Sequence, residues 1–177
     1  MPDIHLLTTA EASPELLMEI RRLLVQAFEG DFSQEDWEHT IGGWHVVVAD
    51  GDATLSHAAV VPRALEVADR PLRAGYVEGV GTAPARQREG LGSIAMAEAS
   101  ELIRSHFEMG ALSTGHHKFY TALGWERWLG PTYVRRGSEA VRTEEEDDGV
   151  MVLRFGSSTD VDLTAPISCE GRHGDDW

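Results

Sequence analysis

The chain of 177 residues contains 42% hydrophobic and 25% charged residues, a globular composition that excludes disordered, collagen-like and coiled-coil proteins. Thirty acidic residues against fifteen basic ones give a net charge of −15 at pH 7. This charge disfavours nucleic acids and anionic membranes as partners and favours polycations, although solubility alone could explain it. With one cysteine, Cys169, and no apolar run long enough for a membrane span or a signal peptide, we expect a cytoplasmic protein without internal disulfides.

The first part of the chain carries signals for two helices and then for strands. Ser13-Pro14-Glu15 places an N-cap, a proline and an acidic residue at the start of a helix that Gly30 ends. Ser33 and Asp36 form a capping box for a second, short helix that extends to about Thr40. Strand patterns follow at 44–49, 53–67 and 72–82. The short turns between these strands predict antiparallel pairing.

The second part of the chain alternates helix and strand patterns. An apolar stripe predicts a long helix over 90–107, and a short helix is expected over 116–123. Further strands are predicted at 111–113, 128–135 and 150–155, with no periodicity after residue 157. The order of elements predicts a mixed α/β (α+β) chain on one central sheet, with one domain over 1–156 and a C-terminal tail over 157–177.

The segment between the third strand and the long helix is rich in glycine and reads Gln87-Arg88-Glu89-Gly90-Leu91-Gly92. Glycines at this place let backbone N–H groups at the start of a helix point toward an anion. The segment is neither a Walker loop nor a dinucleotide fingerprint, since Gly-Lys-Ser/Thr and G-x-G-x-x-G are absent. By itself, Gly90-x-Gly92 indicates only a turn.

About thirty residues later comes Phe119-Tyr120-Thr121-Ala122-Leu123-Gly124-Trp125, and together the two segments resemble the GNAT acetyltransferase superfamily. The resemblance implies the GNAT fold, a mixed and mostly antiparallel central sheet flanked by helices, and acetyl-CoA as cosubstrate. It also implies that backbone N–H groups of about Arg88–Ser93 hold the pyrophosphate, while the pantetheine arm follows strand 76–82. The implied cofactor-binding residues are Val80, Thr82, Gln87, Arg88, Glu89, Gly90, Leu91, Gly92, Ser93 and Tyr120.

Four more stretches, at 27–40, 75–80, 146–149 and 174–177, resemble the aminoglycoside 2′-N-acetyltransferases, and this likeness covers nearly the whole chain. It implies that the C-terminal carboxylate on Trp177 enters the drug site. The implied drug-binding residues are Asp31, Asp36, Glu78, Gly79, Ser113, Asp147, Asp175 and Trp177. An acidic pocket also suits an aminoglycoside on physical grounds, because the drug is a polycation and charge-assisted hydrogen bonds are strong.

Several of these residues have simpler structural explanations. Asp36 could serve only to cap its helix, Asp31 could be a turn residue, and Tyr120 could be a core residue. The acidic run 144–148 could be a solvated loop, and the last three residues could be a frayed end. Glu78 is different, because glutamate fits poorly in the middle of an apolar strand, which favours a functional role.

The resemblance implies direct transfer of the acetyl group to the 2′-amine of the drug. Glu78, acting through ordered water, is the candidate base, with the carboxylate of Trp177 as its rival. Tyr120 is the candidate acid for the departing thiolate, and a backbone N–H near Val80 polarises the thioester carbonyl. A covalent route through Cys169 is disfavoured, since no His–Asp arrangement accompanies it.

No metal site is expected, because the pair His116-His117 lacks the spacing of metal ligands. Lys118 could pair with a phosphate of CoA or remain exposed. A homodimer is implied by the resemblance alone. Two alternatives stay open: a GNAT enzyme for another cationic amine, and a protein that binds CoA or the drug without reacting.

Overall fold

The computed structural model describes all 177 residues, which form two compact units. Unit 1 comprises Met1–Val61 and Val77–Glu101, and unit 2 comprises Pro62–Tyr76 and Leu102–Trp177. The chain passes from one unit to the other within two strands and at one helix. The predicted division at residue 157 concerns where the tail acts, and it stays a prediction.

Unit 1 contains a strand, two helices and then antiparallel strands. Its elements are β1 (Asp3–Thr8), α1 (Pro14–Ala27), α2 (Gln34–His39), β2 (Trp44–Asp50) and the first half of β3 (Ala53–Val67). Ser13 accepts a hydrogen bond from the Leu16 N–H at 3.1 Å, and Ser33 with Asp36 forms the predicted capping box. β2 pairs antiparallel with both β1 and β3. The helix signals in the sequence are therefore confirmed.

The same unit also holds the second half of β4 (Arg70–Thr82), a short 3-10 turn (Pro84–Arg86) and the first part of α3 (Leu91–His106). Its core forms where Ile20 and Leu24 of α1 pack with Val47 of β2.

Unit 2 is built around a larger set of strands. Its further elements are β5 (Met109–Ser113), α4 (His117–Ala122), β6 (Glu126–Arg127), β7 (Thr132–Arg136), β8 (Glu139–Arg142), β9 (Val150–Arg154) and β10 (Ile167–Glu170). The strands lie in the order β6-β9-β5-β4-β3-β10-β7-β8. The pairs β4–β5 and β10–β7 are parallel, whereas β5–β9, β6–β9, β10–β3 and β7–β8 are antiparallel. The expected mixed, mostly antiparallel α/β architecture is confirmed.

The structure corrects the sequence prediction at several strands. The strand predicted over 128–135 is confirmed only from Thr132, where β7 begins; residues 128–131, which include Gly130 and Pro131, lie between β6 and β7. A Cβ on Gly130 would lie 2.0 Å from the Ala165 carbonyl oxygen, so another part of the backbone passes too close for a regular strand. No pattern in the sequence predicts the four strands β1, β6, β8 and β10. β6, β8 and β10 have only two to four residues, and all four depend on pairing with other strands.

The turn between β3 and β4 is tighter than expected. Ala68 and Asp69 both adopt positive φ angles, +47° and +66°, as a two-residue hairpin loop requires. β4 therefore begins at Arg70 and not at Leu72. Among the four helices, none has the length and apolar composition needed to cross a lipid bilayer.

Candidate functional site

The loop between β4 and α3 in unit 1 is held by its backbone conformation. Arg88 and Gly90 adopt φ angles of +67° and +83°, and a Cβ on Gly90 would meet nothing within 4 Å. Glycine is therefore favoured there for its conformation and not for lack of space. Arg86 and Glu89 form an exposed ion pair across the loop at 2.8 Å.

This loop fits a phosphate group. The first bond of α3 runs from the Ile94 N–H to the Gly90 carbonyl at 3.1 Å, which leaves the N–H groups of the preceding helical residues without an intrahelical acceptor. The first turn of α3 contains no acidic residue that would repel an anion. Backbone donors at the positive end of a helix are a favourable arrangement for pyrophosphate.

The end of β4 approaches its neighbours closely in unit 1. Gly79 has a φ of +55°, and a Cβ there would lie 2.7 Å from Cγ2 of Thr40. A Cβ on Gly81 would lie 2.9 Å from Cδ2 of Leu24. Both glycines are explained by this packing against the helical layer. Glu78, which precedes Gly79, is half-buried.

Ser56 holds the C-terminal end of β4 in place. Its hydroxyl lies 3.1 Å from the Gly81 carbonyl and 2.9 Å from the Thr82 hydroxyl. Gln87 reaches back to the Thr82 carbonyl at 3.5 Å. The segment predicted to lie along the pantetheine arm is therefore held by side chains of β3 and of the following loop.

Tyr120 lies on α4 in unit 2 and is only 7% exposed. Its ring meets the rings of Phe119 and Trp125 edge-on, with centroids 4.9 and 6.3 Å away. Burial raises the pKa of the Tyr120 phenol to about 12, so the group is protonated at neutral pH. The phenol therefore carries the proton that an acid must donate, and the raised pKa makes it a weaker acid than an exposed tyrosine.

Asp147 is part of a hydrogen-bonded anchor in unit 2. Its Oδ1 accepts hydrogen bonds from the Thr132 N–H at 3.0 Å and the Thr132 hydroxyl at 2.9 Å. Its Oδ2 forms an ion pair with Arg142. These bonds, chiefly those from Arg142, lower the pKa of Asp147 to about 2. Both oxygens are engaged with the protein's own donors, so its predicted drug contact stays a prediction.

Glu146, the residue before, opens the stretch 146–149 but is not among the drug-binding residues that the resemblance implies. Its Oε2 accepts a hydrogen bond from the predicted site residue Ser113 at 3.2 Å. Burial raises the pKa of Glu146, the Ser113 hydroxyl partly offsets that rise, and the charges of Asp175 and Asp176 add to it. A carboxylate near other carboxylates is stabilised by a cation. The acidic run signalled the loop, but not which of its members faces Ser113.

The C-terminal segment 171–177 is anchored, so its interpretation as a frayed end is wrong. The Trp177 ring is 6% exposed, and its Nε1 donates to the Thr143 hydroxyl at 3.1 Å. Arg63 donates to the Asp176 carbonyl at 2.5 Å, and Arg136 pairs with the Asp176 carboxylate at 2.6 Å. Asp175, which precedes them, is exposed.

The two acidic residues near α2 in unit 1 differ in their partners. Asp36 Oδ2 accepts the Ser33 N–H at 2.7 Å, so its capping role is established. Asp31 is exposed in the turn after α1, where its N–H donates to the Phe28 carbonyl at 2.9 Å. No group of three or more His, Cys, Asp and Glu side chains is arranged to hold a metal ion.

Comparison with known proteins places these features in context. Residues 9–128 match the family model described as an acetyltransferase (GNAT) domain. The chain is 39% identical to an aminoglycoside 2′-N-acetyltransferase of Mycolicibacterium fortuitum, and the alignment covers 98% of this chain and 91% of that relative.

Solved structures with much lower identity share the fold. A GNAT family N-acetyltransferase of Escherichia coli in complex with CoA has a TM-score of 0.68 at 15% identity, covering 95% of this chain and 89% of that one. A GNAT family acetyltransferase of Brucella melitensis in complex with acetyl-CoA has a TM-score of 0.60 at 18% identity, covering 93% and 94%.

Proposed function

The chain belongs to the GNAT acetyltransferase family, and from that premise we propose that it transfers the acetyl group of acetyl-CoA to the 2′-amino group of aminoglycosides. The observation that carries this proposal is the 39% identity, over nearly the full length of both chains, to an aminoglycoside 2′-N-acetyltransferase. The net charge of −15 agrees with a polycationic substrate.

Acetyl-CoA supplies an activated acetyl group as a thioester. The loop Gln87–Ser93 is proposed to hold its pyrophosphate, because the loop combines positive φ angles at Arg88 and Gly90 with the start of α3. Val80 and Thr82 are proposed to line the pantetheine arm. These contacts use mainly backbone groups, so side chains such as Arg88 are of secondary importance.

Acidic side chains are proposed to bind the ammonium groups of the drug. Asp31 and Asp175 are exposed, and Glu146 shares a hydrogen bond with Ser113. A bound cation favours the charged form of Glu146 and offsets its repulsion by Asp175 and Asp176. We propose that Glu146 joins Ser113, Asp147 and Asp175 in the drug site.

Three groups of this chain are proposed to act in the reaction. Glu78, with the C-terminal carboxylate of Trp177 as its rival, accepts a proton from the 2′-ammonium through water, and the resulting amine attacks the thioester carbonyl. The Val80 N–H polarises that carbonyl. As the C–N bond forms and the C–S bond breaks, Tyr120, which is protonated at neutral pH, donates its proton to the leaving sulfur. The new amide nitrogen loses its second proton to solvent, and the Tyr120 phenolate takes up a proton from solvent.

The experiment that tests the function is acetyl-CoA-dependent thiol release with kanamycin B and kanamycin A in parallel. The first drug carries an amine at the 2′ position and the second a hydroxyl. Turnover of kanamycin B alone is expected. Equal turnover of both would move the reacting amine elsewhere on the drug, and no turnover of either would contradict the proposal.

We further propose that the enzyme is a cytoplasmic homodimer, since its cosubstrate is a metabolite of that compartment and the family resemblance implies a dimer. Light scattering of the purified protein should give twice the chain mass of 19.4 kDa. A monomeric mass over the working concentration range would contradict the dimer.

A further inference from the structure

A line of hydrogen bonds crosses unit 1 and ends at the backbone of β4. The Gly42 N–H donates to Oγ1 of Thr9 at 3.0 Å, and that hydroxyl lies 2.8 Å from Nε2 of His45. Nδ1 of His45 lies 2.9 Å from Nε2 of His57, whose Nδ1 lies 2.7 Å from the Gly79 carbonyl oxygen. Both histidines are fully buried, with 0% exposure.

The Gly79 carbonyl at the end of this line determines which atom is the donor and which the acceptor in each hydrogen bond. A carbonyl oxygen only accepts, so Nδ1 of His57 carries the proton that is donated to Gly79. Burial lowers the pKa of His57 to about 3 and that of His45 to about 4, so both rings are neutral at pH 7. Nε2 of His57 therefore accepts from Nδ1 of His45, and Nε2 of His45 accepts from the Thr9 hydroxyl.

The acceptor of this line lies at a left-handed residue of the strand. Gly79 has a φ of +55°, far from the extended conformation of β4. The Gly79 carbonyl and the Val80 N–H belong to one planar, trans peptide group and point in opposite directions. A hydrogen bond that fixes the carbonyl of Gly79 therefore also fixes the direction of the Val80 N–H.

We propose that His57, oriented by His45, is a positioning residue that holds the Gly79–Val80 peptide so that the Val80 N–H is aimed for acetyl transfer. This role rests on the proposed function, in which that N–H polarises the thioester carbonyl and the neighbouring Glu78 accepts the proton. A rigid donor is needed at this place, because an N–H that rotates away stabilises no developing charge. Two buried imidazoles provide that rigidity better than a flexible side chain would.

The kinetic test compares two substitutions of the same residue. His57→Leu removes the donor to Gly79 and should lower kcat with kanamycin B on the order of 10²-fold, as misalignment of a reacting group does. KM for acetyl-CoA and for the drug should change little. His57→Asn keeps an N–H donor at the δ position and should recover most of the lost kcat.

A control separates positioning from loss of stability. Val46→Ala, in the buried face of β2, shortens an apolar side chain without touching the line of hydrogen bonds, and should leave kcat within about twofold of the wild type at a temperature where all variants are folded. A kcat of His57→Leu equal to that of the wild type, or no recovery in His57→Asn, would overturn the proposal.

A second measurement does not depend on turnover. Long-range ¹H–¹⁵N NMR spectra at pH 7 should show both buried histidines as neutral rings protonated at Nδ1. Protonation of His57 at Nε2 would overturn the proposal even in an active enzyme. If instead the wild type acetylates no aminoglycoside while the tautomers agree, the proposed function fails and the hydrogen-bonded line stands.

Discussion

The loop between β4 and α3 and the C-terminal segment 171–177 are both irregular, yet they are held in opposite ways. The loop depends on backbone conformation, with positive φ angles at Arg88 and Gly90 and one exposed ion pair. The C-terminal segment depends on side chains from distant parts of the chain. Arg63 binds the carbonyl of Asp176, and Thr143 binds the indole of Trp177.

This difference matches what each region is proposed to bind. A loop that presents its own N–H groups to pyrophosphate needs residues that can adopt left-handed backbone conformations, and it needs few side-chain contacts. A segment that presents carboxylates to a polycation must be held against their mutual repulsion, which requires arginines and hydroxyls around it. The Asp175 side chain is left exposed directly before the anchored Asp176.

The largest expected effect is a loss of kcat on substitution of Tyr120, which lies in neither region. Tyr120→Phe removes the proposed acid and should lower kcat by roughly 10²–10⁴-fold, while raising the two KM values much less. Steady-state kinetics with kanamycin B measures this. An unchanged kcat would assign Tyr120 to the core alone.

The second effect tests how strongly side chains hold the C-terminal segment. Arg63 is 5% exposed and bonds Glu170 as well as Asp176. Arg63→Met should lower the free energy of unfolding by about 3 kcal/mol, because several buried acceptors lose a charged donor. Urea denaturation measures the loss. The matched control Arg70→Met, in an exposed ion pair with Asp160, should cost less than about 1 kcal/mol.

The third effect tests the backbone origin of the loop. Gly90→Ala forces a left-handed conformation on a residue with a Cβ and should lower the free energy of unfolding by about 1 kcal/mol. Gly115→Ala is the control, because a Cβ there also meets nothing within 4 Å and its φ is not left-handed. Equal stability of the two variants would contradict the conformational explanation.

The fourth effect distinguishes the loop by pH from the side chains that support the C-terminal segment. Thr143, which binds the indole of Trp177, donates to the Thr132 hydroxyl, and that hydroxyl donates to Asp147. The pKa of Asp147 falls from 3.8 to about 2 on folding, chiefly through Arg142, so its contribution to stability is present above pH 3.8 and is lost as the pH falls toward 2. Asp147→Asn should flatten this acid limb of the stability curve. Gly90→Ala should leave the limb unchanged, and a flattened limb in that variant would contradict the distinction.

The sequence reveals the loop better than the C-terminal segment, for a physical reason. Gln87–Gly92 is a local pattern, in which glycine spacing and the following helix are adjacent in the chain. The capping box of Ser33 and Asp36 is equally local, and it was confirmed. Local hydrogen bonds leave a signature in neighbouring residues.

The anchors of the C-terminal segment leave no such signature. Arg63 lies 113 positions from its partner Asp176 in the chain. The partners of Glu146 and Asp147, which are Ser113 and Thr132, lie 33 and 15 positions away. No local pattern distinguishes His45 and His57 from other polar residues in strands, because their hydrogen bond joins two different strands. Only the fold brings these partners together.

The most direct test of the comparison measures KM for both substrates in two variants. Asp175→Asn should raise KM for kanamycin B roughly tenfold, as expected for loss of a charged hydrogen bond, and leave KM for acetyl-CoA unchanged. Gly90→Ala should raise KM for acetyl-CoA and leave KM for kanamycin B unchanged. If both variants raise the KM of the same substrate, the assignment of the loop to the cosubstrate and of the C-terminal segment to the drug is wrong.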